Sequence, residues 1–137
     1  MGDVVAVFMR WLHLSSVAVL VGGLLYGWMA LQAASGAVAP EAVLKISDSV
    51  ARRFRPVALF CVLILILSGV YNVLTTPGHS TRYHIVLGVK LLLVLHIFAS
   101  AILAMRPGNA KRGRMMASAG FSGLAVILIS AYLRRIF

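Results

Sequence analysis

The sequence predicts an all-α integral membrane protein, a four-helix bundle that crosses the bilayer four times. Hydrophobic residues make up 61% of the 137 residues and charged residues only 12%, which leaves too little polar surface for a soluble domain. Four apolar segments are each close to the length that spans the hydrocarbon as a helix, and they lie at about 4–31, 57–74, 85–105 and 115–133. We therefore expect a single transmembrane domain over residues 1–137.

The first apolar segment is expected to be a retained helix rather than a secretory signal. The start Met1-Gly2-Asp3 carries no basic residue, and the apolar run that follows is longer than the core of a signal peptide. Gly23 and Gly27 within this segment form a pair of small residues one helical turn apart, which favours close packing against another helix.

The first connection predicts a short amphipathic helix before the second span. Pro40 and Glu41 are typical of a helix start, and apolar residues then recur at helical spacing at Val43, Ile46, Val50 and Phe54. Such a helix would lie on the inner membrane surface. The alternative is a helical extension of the second span.

The second connection, residues 75–82, is rich in turn-forming residues.

The distribution of basic residues predicts the orientation in the membrane. Eight of the 13 Lys and Arg residues fall in the first and third connections. Because basic residues concentrate in cytoplasmic loops, we expect these two connections in the cytoplasm and both termini on the outer side of the membrane. The net charge of +10 is then explained by topology and anionic lipid, and a nucleic-acid partner is not expected.

Two histidines, His13 and His96, interrupt apolar spans where an ionisable side chain usually marks a functional site. Counted from Val4 and Ile85 as the outer ends of their helices, they lie about 13 Å and about 16 Å deep. Facing each other between the first and third helices, they could hold a haem b by bis-histidine axial ligation. A first span that begins at Trp11 would instead make His13 much shallower.

Two cations could support the same haem. Arg10 shares the face of His13, and it could pair with a haem propionate. Lys90 lies about 120° from His96 around the third helix. A long side chain could bend toward a propionate from there, or it could extend to the membrane surface as an ordinary interfacial lysine.

Copper is an alternative cofactor or cargo. Met9 precedes His13 by one turn on the same face and offers a thioether that suits Cu(I), and imidazole also suits copper. The ligand set would then be completed by His79, His84 and His96, although His79 and His84 are also typical of an exposed loop.

The single cysteine, Cys61, excludes an intrachain disulfide, and we expect its side chain to fill space in the packed core.

Several short motifs resemble the CopD copper-resistance membrane domain over nearly the whole chain: RWLHL at 10–14, VGGL at 21–24, RRFRP at 52–56, SGV at 68–70 and GVKLLLVL at 88–95. This resemblance implies metal or haem handling at the outer side of a bacterial inner membrane. The related four-helix protoporphyrinogen oxidases of the HemJ type have a similar first-helix histidine and third-helix lysine, which would correspond to His13 and Lys90.

Three functions are therefore expected as alternatives. The first is electron transfer by a b-type haem protein, with quinol or another redox partner. The second is copper handling or transport. The third is a HemJ-like porphyrinogen oxidase, a haem-dependent membrane oxidoreductase. Hydrolytic chemistry is not expected, because the three carboxylates, Asp3, Glu41 and Asp48, all lie outside the predicted spans.

Overall fold

The computed structural model describes residues 2–75, 78 and 80–135, and this part of the chain consists of four α-helices and their connections. The helices are α1 (Gly2–Ala37), α2 (Pro40–Thr75), α3 (Thr81–Ala104) and α4 (Arg112–Arg135). All four are long and apolar enough to cross a membrane. The predicted all-α, four-helix membrane fold is confirmed.

Short connections join the helices at well-defined ends. The Ser80 side chain accepts a hydrogen bond from the Tyr83 N–H at 3.2 Å, and it thereby caps the first turn of α3. In the loop between α3 and α4, Gly108 adopts a positive φ of 70°, which glycine does without strain. The Asn109 side chain then accepts from the Lys111 N–H at 2.9 Å. Four helices joined in this way run alternately up and down.

Helix α2 differs from the prediction of a separate surface helix. It is continuous over 36 residues with Pro56 inside it. Its length is about 54 Å, well beyond the hydrocarbon thickness of about 30 Å. The surface-helix prediction was wrong, and the alternative, a helical extension of the span, is what the structure has. The reason is packing on α1: Phe54 covers Gly23 on the amino-terminal side of Pro56, so the extension keeps the direction of the span.

Each helix has two neighbours in the bundle. Helix α1 packs against α2 and α4, and α3 packs extensively against α4, whereas α2 makes only sparse contact with α3. We call the end with the 38–39 and 105–111 connections the loop end. The opposite end, where α1 begins and α4 finishes, is the terminal end. The sparse side between α2 and α3 is the least closed side of the bundle.

Two glycines of α4 let α1 approach closely. A Cβ atom on Gly120 would lie 2.5 Å from Leu25 Cδ2, and one on Gly123 would lie 2.6 Å from Val21 Cγ2. At these separations a residue with a Cβ fits only if the side chain of Leu25 or Val21 shifts. Without a hydrophobic driving force between helices in lipid, such close packing is a main source of helix association. We call this contact the α1–α4 seam.

Gly23 and Gly27 of α1 also pack closely, as their spacing predicted. A Cβ on Gly23 would lie 2.6 Å from Phe54 of α2, and one on Gly27 would lie 3.0 Å from the Met116 sulfur of α4. The predicted packing role of the two glycines is confirmed, with a different partner helix for each.

A buried arginine ties three helices together at the loop end. Arg112 is only 2% exposed. It donates to the Ala104 carbonyl at 2.7 Å, and at 2.6 Å each to the Ser47 hydroxyl, the Asp48 carboxylate and the Arg106 carbonyl. A buried guanidinium is tolerated when it is paired and its donors are satisfied. Arg112 therefore joins α4 to α2 and to the end of α3.

The outer surface of the bundle is apolar on every helix. Leu67 of α2, Leu92 of α3 and Leu128 of α4 are 58%, 70% and 72% exposed. In a bilayer these side chains contact lipid at no cost, because lipid chains are as apolar as leucine.

We predict that Gly123→Ala destabilises the bundle, by about 1–3 kcal/mol, because the new methyl group meets Val21. Gly22→Ala is the matched control, since a Cβ there has no atom within 4 Å. That change should be neutral or stabilise by up to about 1 kcal/mol. Unfolding followed by circular dichroism in detergent measures both, and equal effects of the two variants would show that the seam does not hold the bundle.

Candidate functional site

His13 lies on the face of α1 that packs into the bundle. It is half-buried and shares that face with the buried residues Ser16, Leu20 and Leu24. Its Nδ1 atom is 2.6 Å from the hydroxyl oxygen of Ser68 on α2. This is a short hydrogen bond between two helices inside an apolar bundle, where a polar side chain needs such a partner.

The second hydrogen bond of the Ser68 hydroxyl favours one tautomer of His13. Ser68 is fully buried, and its hydroxyl donates to the Leu65 carbonyl at 3.3 Å. A hydroxyl has one proton, so in the tautomer that keeps the hydrogen bond to Leu65 the Ser68 oxygen accepts from the Nδ1–H of His13. The neutral imidazole then has a free lone pair on Nε2. This is the arrangement typical of a metal-binding histidine, whose other ring nitrogen donates to a protein acceptor.

Lys90 of α3 is a charged group that faces the interior of the bundle. It lies on the same face as the buried residues Ile97 and Ala101, within about 20° of each. It is half-buried, and it is close enough to His13 for the two side chains to interact electrostatically. Its side chain leans toward the start of α3, which is the terminal end. We call His13, Ser68 and Lys90 the His13 cluster.

A second polar contact lies next to this cluster. The buried residues Ser16 of α1 and Cys61 of α2 meet through their hydroxyl and thiol groups. Cys61 is therefore internal, in agreement with its predicted role in packing, and its thiol has a hydroxyl partner that the sequence did not reveal.

His96 occupies a different environment. Its Nε2 atom is 3.0 Å from the Ser118 hydroxyl of α4, and both residues are exposed. The neighbouring residues on its face, Leu92 and Leu103, are 70% and 38% exposed. His96 therefore lies on the lipid side of the contact between α3 and α4, about 100° around the helix from the buried Ile97.

The α1–α4 seam shows that the two histidines also lie at different levels. Ser118, the partner of His96, is two residues from Gly120, which packs on Leu25 of α1. His13 is a further 12 residues along α1 from Leu25. At 1.5 Å per residue, this places His13 and His96 about 20 Å apart along the bundle.

The Arg112 contacts independently give the same separation of His13 and His96 along the bundle. Arg112 marks one level on both α2 and α3, through Ser47 and Ala104. Ser68 is 21 residues from Ser47, or about 31 Å, whereas His96 is eight residues from Ala104, or about 12 Å. The difference is about 19 Å.

The prediction that His13 and His96 face each other at one depth is therefore wrong for this structure. Its error was to treat Val4 and Ile85 as equivalent ends, although α1 begins well beyond the start of α3. The alternative span start near Trp11, which makes His13 shallow, agrees with the structure.

The His13 cluster lies near the terminal end of the bundle. Helix α3 begins at Thr81, about 35 Å from Ala104, and Ser68 is about 31 Å from the same level. The cluster is thus about one turn below the end of α3.

The remaining predicted ligands do not join His13 in a metal site. Arg10 is exposed one turn from His13 toward the terminal end, Met9 is half-buried, and His84 is exposed at the start of α3. His79 lies outside the described residues. Over residues 2–75, 78 and 80–135, no group of three or more His, Cys, Asp or Glu side chains is placed to hold a metal ion.

Sequence reasoning missed the two serines that determine the histidine environments. Ser68 and Ser118 each place a hydroxyl in an apolar span, and a buried hydroxyl needs a partner. That requirement is the signal that could have singled out Ser68, although it does not say which histidine the hydroxyl meets.

Comparison of the chain with protein family models, with curated proteins and with solved structures gave no match. The resemblance to the CopD domain and to the HemJ-type oxidases therefore rests on the short sequence motifs alone.

We predict that position 96 is accessible from the lipid. A nitroxide label on His96→Cys, in a Cys61→Ser background, should collide readily with dissolved oxygen in a bilayer. The matched label on Ala101→Cys should be protected, because Ala101 is fully buried one turn further along α3. Oxygen accessibility measured by electron paramagnetic resonance decides this, and equal protection at the two positions would place His96 inside the bundle.

Proposed function

We propose that this chain is a membrane redox protein that binds haem b, with His13 as the axial ligand. The observation that carries the proposal is the hydrogen bond from His13 Nδ1 to Ser68. It orients the imidazole and leaves the Nε2 lone pair available for iron. When bound, a haem would supply one-electron transfer, and the protein would supply its ligand, orientation and electrostatics.

The charges at the terminal end fit a haem. Haem propionates are anionic, and Lys90 and Arg10 are the cations near His13. Of the three carboxylates of the chain, Glu41 and Asp48 lie toward the loop end, and Asp3 lies in the first turn of α1, about two turns beyond Arg10. The ion pair found among the described residues, Arg112 with Asp48, uses neither Lys90 nor Arg10. Lys90 and Arg10 are therefore available to pair with propionates, which would also offset the cost of holding Lys90 inside the bundle.

His96 is not part of the proposed site. With only one imidazole at this level, we propose that the iron has one protein axial ligand. Reduced haem with an open axial position binds carbon monoxide, which distinguishes this arrangement from the bis-histidine arrangement that the sequence predicted.

The proposed electron donor is a membrane quinol. Sparse contact between α2 and α3 makes this the least closed side of the bundle, and quinols dissolve in the lipid that borders it. We also propose the bacterial inner membrane with both termini periplasmic, because the basic residues of the first and third connections are gathered at the loop end.

Porphyrinogen oxidation is a second candidate function. The observation that favours it is the proximity of Lys90 to His13, the pair of residues that the HemJ resemblance singles out. Purified protein incubated with protoporphyrinogen and an electron acceptor should then form fluorescent porphyrin faster than the His13→Ala variant. Equal rates would exclude this function. Copper handling gains no comparable support, because within the described part of the chain no group of three or more His, Cys, Asp or Glu side chains is placed to hold a metal ion.

We predict that His13→Ala abolishes the Soret absorption of purified protein, whereas His96→Ala leaves it intact. The reduced wild-type protein should also bind carbon monoxide. Visible spectra of the oxidised, reduced and carbon monoxide-treated protein in detergent measure the Soret absorption and the binding of carbon monoxide. A Soret band that survives His13→Ala but is lost in His96→Ala would contradict the ligand assignment, and a colourless wild-type protein after haem reconstitution would contradict the function.

We predict that Ser68→Ala raises the reduction potential of the bound haem, on the order of tens of millivolts, with haem content retained. Without its acceptor at Nδ1, His13 is a weaker electron donor to iron, and the reduced state is favoured. Ser118→Ala, which removes the partner of His96, is the matched control and should leave the potential unchanged. A spectroelectrochemical titration in which both variants behave alike would show that Ser68 does not support the ligand.

A further inference from the structure

A groove of about 730 Å³ lies at the loop end, far from the His13 cluster, between α1, the start of α2 and the start of α4. Its lining divides into two parts. Trp28, Leu31 and Val43 provide apolar surface, whereas Lys111 and Arg114 provide two cations. A groove that combines apolar walls with cations fits an amphipathic anion.

The positive charge of this groove is not neutralised within the described residues. No carboxylate lines the groove. The ion pair formed there, between Arg112 and Asp48, is internal to the fold and uses the guanidinium of Arg112. Lys111 and Arg114 are both exposed, so their charges face whatever enters.

The depth of the groove matches the lipid headgroup region. Helices α3 and α4 have 24 residues each, or about 36 Å, so the loop between them reaches just beyond a hydrocarbon core of about 30 Å. Trp28 on the groove wall is typical of this interface.

A second cavity, of about 290 Å³, adjoins the groove and shares Leu31 and Val43 with it. Its lining is mainly apolar and includes Ala30 and Ile46. Apolar surface thus continues from the groove along the contact between α1 and α2, where an acyl chain would be accommodated.

We propose that this groove binds an anionic glycerophospholipid. The phosphate lies between Lys111 and Arg114, and an acyl chain lies against Trp28, Leu31 and Val43. Basic pockets between transmembrane helices are suited to anionic headgroups, and here the two cations, the apolar walls and the headgroup depth coincide. The site is separate from the proposed haem site and does not depend on it.

Trp28 provides a direct reporter, because Trp11 is the only other tryptophan of the chain. The Trp11→Phe variant is placed in phosphatidylcholine nanodiscs that contain increasing fractions of brominated phosphatidylglycerol. We expect saturable quenching of Trp28 at low fractions of this lipid. Brominated phosphatidylcholine should quench only at much higher fractions, and equal quenching by the two lipids would overturn the proposal.

The charge requirement is tested by two double variants. Lys111→Gln with Arg114→Gln should raise the phosphatidylglycerol fraction needed for half-quenching roughly 30-fold, which corresponds to about 1 kcal/mol for each lost cation. Arg53→Gln with Arg55→Gln removes the same charge from exposed positions outside the groove, and it should change that fraction less than about twofold. Equal effects of the two pairs would overturn the proposal. If the Lys111 and Arg114 double variant fails to fold, each single variant should still raise the half-quenching fraction roughly fivefold.

Competition with a soluble headgroup distinguishes binding of a lipid from binding of a free phosphate ester. Glycerol phosphate added in excess should leave the quenching unchanged, because it cannot use the apolar walls. Complete relief of quenching by glycerol phosphate would show a site for soluble phosphate esters and would overturn the lipid assignment.

Discussion

Close contact between α1 and α4 is the constraint on which the rest of the structure depends. Because Gly120 and Gly123 have no side chains, Leu25 and Val21 can pack directly against the α4 backbone. This fixes how far α1 is displaced along the bundle relative to α4, and α3 follows because it packs on α4. The level of every polar side chain inside the membrane is set by that displacement.

The polar side chains then pair within the fold. His13 meets Ser68, and Ser16 meets Cys61, both between α1 and α2. Lys90 is directed toward the same level from α3. His13 and Ser68 thereby each gain a hydrogen-bond partner that lipid cannot supply. At the other end Arg112 satisfies its donors with α2 and with the end of α3, and it leaves Lys111 and Arg114 to face the groove.

The four spans could be predicted because apolar length is a property of local sequence, and the close packing of Gly23 and Gly27 follows from their small size. The environment of His96 could not be predicted in this way. Leu92 and Leu103 surround it with apolar surface, but in a membrane protein the lipid side is as apolar as the core. The common depth assumed for His13 and His96 failed for a related reason. Helix stagger is decided by tertiary contacts such as Gly120 with Leu25, which no residue count from the ends of spans contains.

The separation of the two histidines tests this account most directly. Spin labels on His13→Cys and His96→Cys, in a Cys61→Ser background and a lipid bilayer, report the distance by double electron–electron resonance. The account predicts one distance distribution centred at about 20 Å or more, from the rise per residue between the two levels. A distribution centred below about 15 Å would place both side chains at one level, contradict the stagger of α1 and α3, and restore the facing pair of imidazoles.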